Sequence, residues 1–264
     1  MMDISKFNTG MELNERNHLS VSRTRKEPEV VCQMPRRFIF FDNLPGWKHT
    51  DIWNYTTRRM NADFIMGQLE IKEDGGTLAP VDNGYENFFY VVSGVVTVSF
   101  SSRAYRLKKD GYCWLPPKMV FEMSHEGKEP ALVLWVKKAY EPLKNTAIPE
   151  AVTGNACDLK AEGDTAEFTK ECIPASKDFG FDMSVNILTY YPGVTSERTE
   201  AHMSAHGAYV LNGRGEMVVN GKHYEIHEND YFYIAPCAPH YTVGYAPEPL
   251  CIFLFEEVNR DYAL

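Results

Sequence analysis

Glu200, His202, His206 and His240 are the residues of this chain whose types and spacing suit metal chemistry. The first three lie close together, and His240 follows a proline-rich corner, Ala235-Pro236-Cys237-Ala238-Pro239. Glu200 and His202 are two apart, so on a strand they share a face. His206 opens the next apolar run. In a barrel, His240 can point to the same interior from a nearby strand. Three imidazoles and a carboxylate suit a divalent transition ion such as Mn, Fe, Ni or Zn. His223 and His227 repeat the His-x-x-x-His spacing but alternate with Tyr224 and Ile226, which assigns them to a solvated strand face. His18, His49 and His125 have no partners nearby in the sequence.

The elements that must carry these residues occur twice. Residues 87–121 slide onto residues 206–240 with a constant offset of 119 and no gap. Tyr90 then meets Tyr209, Gly94 meets Gly213, Tyr105 meets Tyr224, Tyr112 meets Tyr231 and Pro117 meets Pro236. Each copy reads as short strands. Apolar runs such as Phe88–Val92 and Ala208–Leu211 end at Ser93-Gly94 or Asn212-Gly213, and Asn220-Gly221 marks a further hairpin. Many short strands with Gly, Asn and Pro corners predict an all-β fold of two barrels in tandem. The expected division is an N-terminal arm over residues 1–50, a first barrel over 51–145 and a second over 146–264. At the places of Glu200, His202, His206 and His240 the first copy has Val81, Asn83, Asn87 and Phe121. The scaffold is duplicated and the ligand set is not, which predicts one metal ion per chain, in the second barrel. Tyr209, Met217 and Tyr233 are expected to line that barrel's interior.

Composition narrows the partners. The chain has 264 residues, 44% hydrophobic and 24% charged, with a formal net charge of −9. An acidic surface repels phosphate backbones, so nucleic acid is not an expected partner. No apolar run approaches membrane-spanning length and no apolar leader opens the chain, so the expectation is a cytoplasmic protein acting on a small molecule. Six scattered cysteines form no CxxC pair and read as reduced thiols. Cys237 lies three residues before His240.

The pattern Glu200-x-His202-x-x-x-His206-Gly207 followed by Pro236-x-x-Pro239-His240 resembles the cupin signature. More narrowly, the chain resembles the (S)-ureidoglycine aminohydrolase family of bicupins. The resemblance rests on Thr153-Gly154-Asn155-Ala156, Phe179-Gly180-Phe181-Asp182-Met183, Glu200-Ala201-His202, His206-Gly207-Ala208-Tyr209, Gly213-Arg214-Gly215 and Val258-Asn259-Arg260-Asp261. It implies a tandem cupin that forms homo-oligomers and uses manganese to hydrolyse (S)-ureidoglycine to (S)-ureidoglycolate and ammonia. It also implies a metal held by Glu200, His202 and His206, with His240 where the family has Gln. Met217 and Ile252 fall where the family has substrate-contacting Tyr, and Glu256 falls where it has Lys. A charge inverted at Glu256 would repel a carboxylate that Lys would hold. The residues alone leave open two other readings: a metallo-cupin isomerase, lyase or oxygenase acting on another small polar acid, and a non-catalytic binder.

Overall fold

A computed structural model describes residues 25–27, 31–34, 42–163, 167–196, 199–258 and 260. Most of the expected N-terminal arm therefore lies outside the described residues. The described chain is almost entirely antiparallel β-structure. No helix among the described residues is long and apolar enough to cross a membrane.

The internal repeat is reproduced at the level of strand register. Asn87 pairs with Leu115, and His206 with Ile234. Phe121 pairs with Phe100, and His240 with Val219. Lys137 pairs with Asn87, and Glu256 with His206. Isolated bridges join Val81 to Phe121 and Glu200 to His240. Every one of these pairs maps onto its twin at the same offset. The register shift that leaves Val92 as an extra residue recurs at Leu211. Left-handed backbone recurs as well: Asp110 (φ 65°) and Asn229 (φ 69°), Lys118 (φ 65°) and Cys237 (φ 62°). A β-bulge and a left-handed residue each impose a local bend. Two chain segments that share all of them therefore trace the same barrel.

Strand alternation sorts the apolar residues into three cores. Leu69, Phe89, Val98, Phe121, Val133 and Trp135 fill the first barrel. Ala208, Val210, Met217, Val219, Phe232 and Ile252 fill the second. The opposite faces of the same strands form the third core, between the barrels, from Phe88, Tyr90, Trp114, Tyr209, Tyr231, Phe253 and their neighbours. There Tyr55 stacks on Tyr231 at 4.7 Å between centroids, and Phe64 meets Phe255 at 4.4 Å. Each fully buried aromatic contributes roughly 1.5–3 kcal/mol from its apolar area. Tyr209 and Tyr233 belong to this inter-barrel core and do not line the second barrel's interior as expected. Their strands are buried on both faces, so no polar alternation marks which side points inward.

The segments before the barrels are exchanged. Val31–Gln33 adds to the sheet of the second barrel alongside Tyr231–Ile234. Val152–Asn155, at the start of the stretch assigned to the second barrel, adds to the first alongside Gly111–Leu115. Each covers an edge that would otherwise offer unpaired backbone groups. A buried ionic cluster also ties the two halves together. Asp182 accepts from Lys138 and Arg260, and all three side chains are almost fully enclosed.

Candidate metal centre

The site is assembled by three strands of the second barrel and the irregular segment before them. His206 begins the strand His206–Asn212, and its neighbours on the same face, Ala208 and Val210, lie in the barrel core. His240 begins the strand His240–Gly244, whose next inward residue, Thr242, contacts Met217. Glu256 lies near the end of Leu250–Glu257, on the face that Leu250 and Ile252 turn into the core. Period-two alternation thus sends all three polar groups to one end of the same interior. His202 comes from the segment before His206, and its backbone carbonyl accepts from Cys237 N–H at 2.7 Å. The left-handed turn at Cys237 aims that N–H across the corner.

His202, His206 and His240 offer ligand atoms that all lie within 4.8 Å of one another. Their ring centroids are 4.6, 5.0 and 5.5 Å apart. Imidazole nitrogens bind such ions at about 2.0–2.1 Å, so the triad needs only a small contraction around one ion. The donor chemistry fits as well. His240 Nδ1 lies 2.9 Å from the Ala238 carbonyl, a contact that requires N–H there and leaves Nε2 as a free lone pair. Burial, followed by the neighbouring imidazoles, holds His240 below the usual histidine value. Burial and then His206 do the same for His202. Neutral imidazole is the form that binds metal. His206 Nδ1 is buried with no hydrogen-bond partner.

Glu256 is the carboxylate that meets the triad. Its Oε1 lies 2.7 Å from His206 Nε2. Burial pushes its carboxyl up, but the His206 hydrogen bond and attraction to all three histidines outweigh that, and the net shift is downward. Sequence reasoning named Glu256 only as a substrate contact. The missing signal was register: Glu256 pairs with His206 as Lys137 pairs with Asn87. Glu200, the expected carboxylate ligand, acts by its charge on both His202 and His240. Its side chain is exposed and outside the histidine group. Two backbone hydrogen bonds of 2.8 Å tie it to His240, but this is a single bridge. No ladder holds the Glu200 side chain on the inner face. Met217 and Ile252 are buried in the barrel core below the triad. His223 and His227 lie away from it, beside Glu216 and Glu225.

The first barrel is closed at the corresponding place. Asn87 accepts from Trp135 Nε1 at 3.1 Å and from Asn83 Nδ2 at 2.8 Å. The Trp135 ring packs on Phe89 at 5.5 Å and on Phe121 at 6.5 Å, and Lys137 lies 4.1 Å over it. Aromatic volume and a satisfied amide occupy the space where the second barrel gathers histidines.

Comparison with known proteins agrees with this architecture. Residues 67–137 and 186–255 match the cupin domain family, once per barrel and together just over half of the chain. The chain is 28% identical over 224 residues to (S)-ureidoglycine aminohydrolase of Escherichia coli (strain K12), covering 83% of this chain and 84% of that protein. It is 26% identical over 225 residues to (S)-ureidoglycine aminohydrolase of Arabidopsis thaliana, covering 84% of this chain and 73% of that one. The crystal structure of protein Ylba from E. coli superposes with a TM-score of 0.84 at 25% identity, over 94% of this chain and 99% of that one. Oxalate decarboxylase of Bacillus subtilis shares the fold alone, with a TM-score of 0.69 at 9% identity over 90% and 80% of the two chains. With two matched copies in register and one histidine triad, the chain belongs to the cupin family as a tandem, two-barrel member.

Proposed function

We propose that this protein is a metal-dependent aminohydrolase that binds one divalent ion, manganese, in its second barrel and releases ammonia from (S)-ureidoglycine. The observation that carries the reading is the triad His202, His206 and His240, gathered, among the described residues, in one barrel only. The relatives named (S)-ureidoglycine aminohydrolase over more than four-fifths of the chain support the substrate. Oxalate decarboxylase, a fold neighbour with Mn(II) centres, supports the metal. Glu200, bridged to His240 through its backbone, is the proposed fourth ligand.

A bound ion would act as a Lewis acid on a substrate oxygen or nitrogen. The chain's own groups do the rest. Ala238 fixes the tautomer of His240, and Glu256 orients His206. Glu256 also governs which end of a substrate enters. A substrate carboxylate about 4 Å from it would cost on the order of 4 kcal/mol at an effective dielectric of about 20. The nitrogen end of the substrate therefore faces Glu256.

The test is ammonia release from (S)-ureidoglycine by protein of known metal content. Activity is expected in the parent and lost in His240→Phe, which installs the residue of the first copy. A metal-loaded parent that releases no ammonia would contradict the proposal. One observation favours a second reading, a metallo-cupin isomerase, lyase or oxygenase. Met217, Ile252 and Glu256 stand in the interior where the resemblance implies two Tyr and a Lys. Oxygen consumption with small polar acids separates the two.

A further inference from the structure

The wall of the second barrel beside Glu256 carries a polar pair that neither the triad nor the fold uses. On the strand Met183–Tyr190, Met183, Val185 and Ile187 face the inter-barrel core. Ser184 and Asn186 therefore face the barrel interior, and Leu188 on the same face packs against its core. Ser184 pairs with Glu256, and Asn186 with Leu254, one inward-facing position further along the ladder. Glu256 in turn pairs with His206. The amide of Asn186 thus lies on the same inner face as Glu256, one inward position closer to the apolar core.

Asn186 Nδ2 donates to Ser184 Oγ at 3.1 Å. Its Oδ1 is buried and has no hydrogen-bond partner. A buried acceptor left unpaired costs about 1–3 kcal/mol, so a fold that keeps one has a use or a partner for it. The duplication supplies an independent control. At the offset of 119, Ser184 corresponds to Ile65 and Asn186 to Gly67. Gly67 has no room for a side chain, because a Cβ there would lie 2.7 Å from the Trp53 carbonyl oxygen. The polar pair, like the triad, occurs only in the second barrel.

We propose that Asn186, held by Ser184, is a substrate-binding residue whose Oδ1 accepts the inner N–H of the substrate, so that the site selects ligands in which an N–H, as in a ureido group, separates the carbonyl from the carbon that bears the carboxylate. The inference rests on the reading of this barrel as the substrate site and names the residue that recognises the substrate's inner N–H. Glu256 and Asn186 would present two acceptors along one wall. A ligand with nitrogen donors at that end satisfies both, and an isostere with a methylene in place of the N–H leaves Asn186 Oδ1 unpaired.

The experiment is calorimetric titration of the metal-loaded full chain with two probes, N-carbamoylglycine and succinamate, which differ by the replacement of the inner N–H by CH2. The parent should prefer N-carbamoylglycine about tenfold, the equivalent of one hydrogen bond. Asn186→Leu should erase that preference while metal content stays at one ion per chain. Asn186→Asp, which keeps an acceptor, should retain it. Equal binding of the two probes by the parent, or an unchanged preference in Asn186→Leu, overturns the proposal. So does a metal-loaded parent that binds neither probe, a result that leaves the metal reading standing. Loss of metal from the parent itself refutes the underlying reading instead.

Discussion

Replacing Glu86 by Gln should make the protein more stable at alkaline pH and reduce its pH dependence. Glu86 is fully buried between the barrels. Its Oε2 accepts from Trp114 Nε1 at 3.0 Å, and its Oε1 has no partner. Burial, and next the charge of Asp182, push its carboxyl up to about 8 from 4.5, with Lys138, Trp114 and Arg260 opposing. The folded state therefore holds a proton that the unfolded chain has released once the pH passes 4.5. A raised carboxyl value means that stability falls as pH rises from the unfolded value to the folded one. Between pH 5 and pH 9 the loss attributable to this residue is about 4 kcal/mol, at about 1.36 kcal/mol per unit. Gln keeps an acceptor for Trp114 and has no proton to lose. Glu257 is also raised, by burial first, and it adds its own slope in both proteins. The difference between parent and Glu86→Gln thus isolates Glu86. The assay is urea unfolding from pH 5 to pH 9. With m near 3 kcal/mol/M, the gap between the two midpoints should change by more than about 1 M across that range. Parallel pH profiles would show that Glu86 is ionised when folded and refute the reasoning.

Two further outcomes follow from the structure. Arg260→Ala leaves the buried Asp182 with Lys138 as its remaining cation, and should cost about 3 kcal/mol in urea unfolding, the low end for a broken buried pair. Gly213 has φ +79°, and a Cβ there would lie 2.4 Å from the Pro249 carbonyl oxygen. Gly213→Ala should therefore lower stability by about 2 kcal/mol or more, read as a drop in the urea midpoint, with the metal content per folded chain unchanged.

Much of the fold was legible in the sequence because the features that bend a barrel are local. Gly94 and Gly213, Asn220-Gly221 and the two tyrosine strands mark the same turns at the same offset, and a gapless register allowed one pairing. Three things were not legible, each for a physical reason. The strands carrying Tyr209 and Tyr233 are buried on both faces, so inward and outward positions look alike. The exchange of Val31–Gln33 and Val152–Asn155 between the barrels joins residues remote in sequence, and short strands carry no address. Glu256, the carboxylate that touches an imidazole, was read only as a substrate contact. Only the cross-strand register brings Glu256 to His206. The histidines were legible because the first copy supplied a control: Asn83, Asn87 and Phe121 occupy the same scaffold without the chemistry.

The measurement that tests the central claim most directly is elemental analysis of protein purified without chelator, for the parent and for His202→Ala combined with His240→Ala. The account predicts one divalent ion per parent chain and none in the double variant, with the fold retained. Two ions per parent chain, none in the parent, or an ion that survives the double substitution would contradict it.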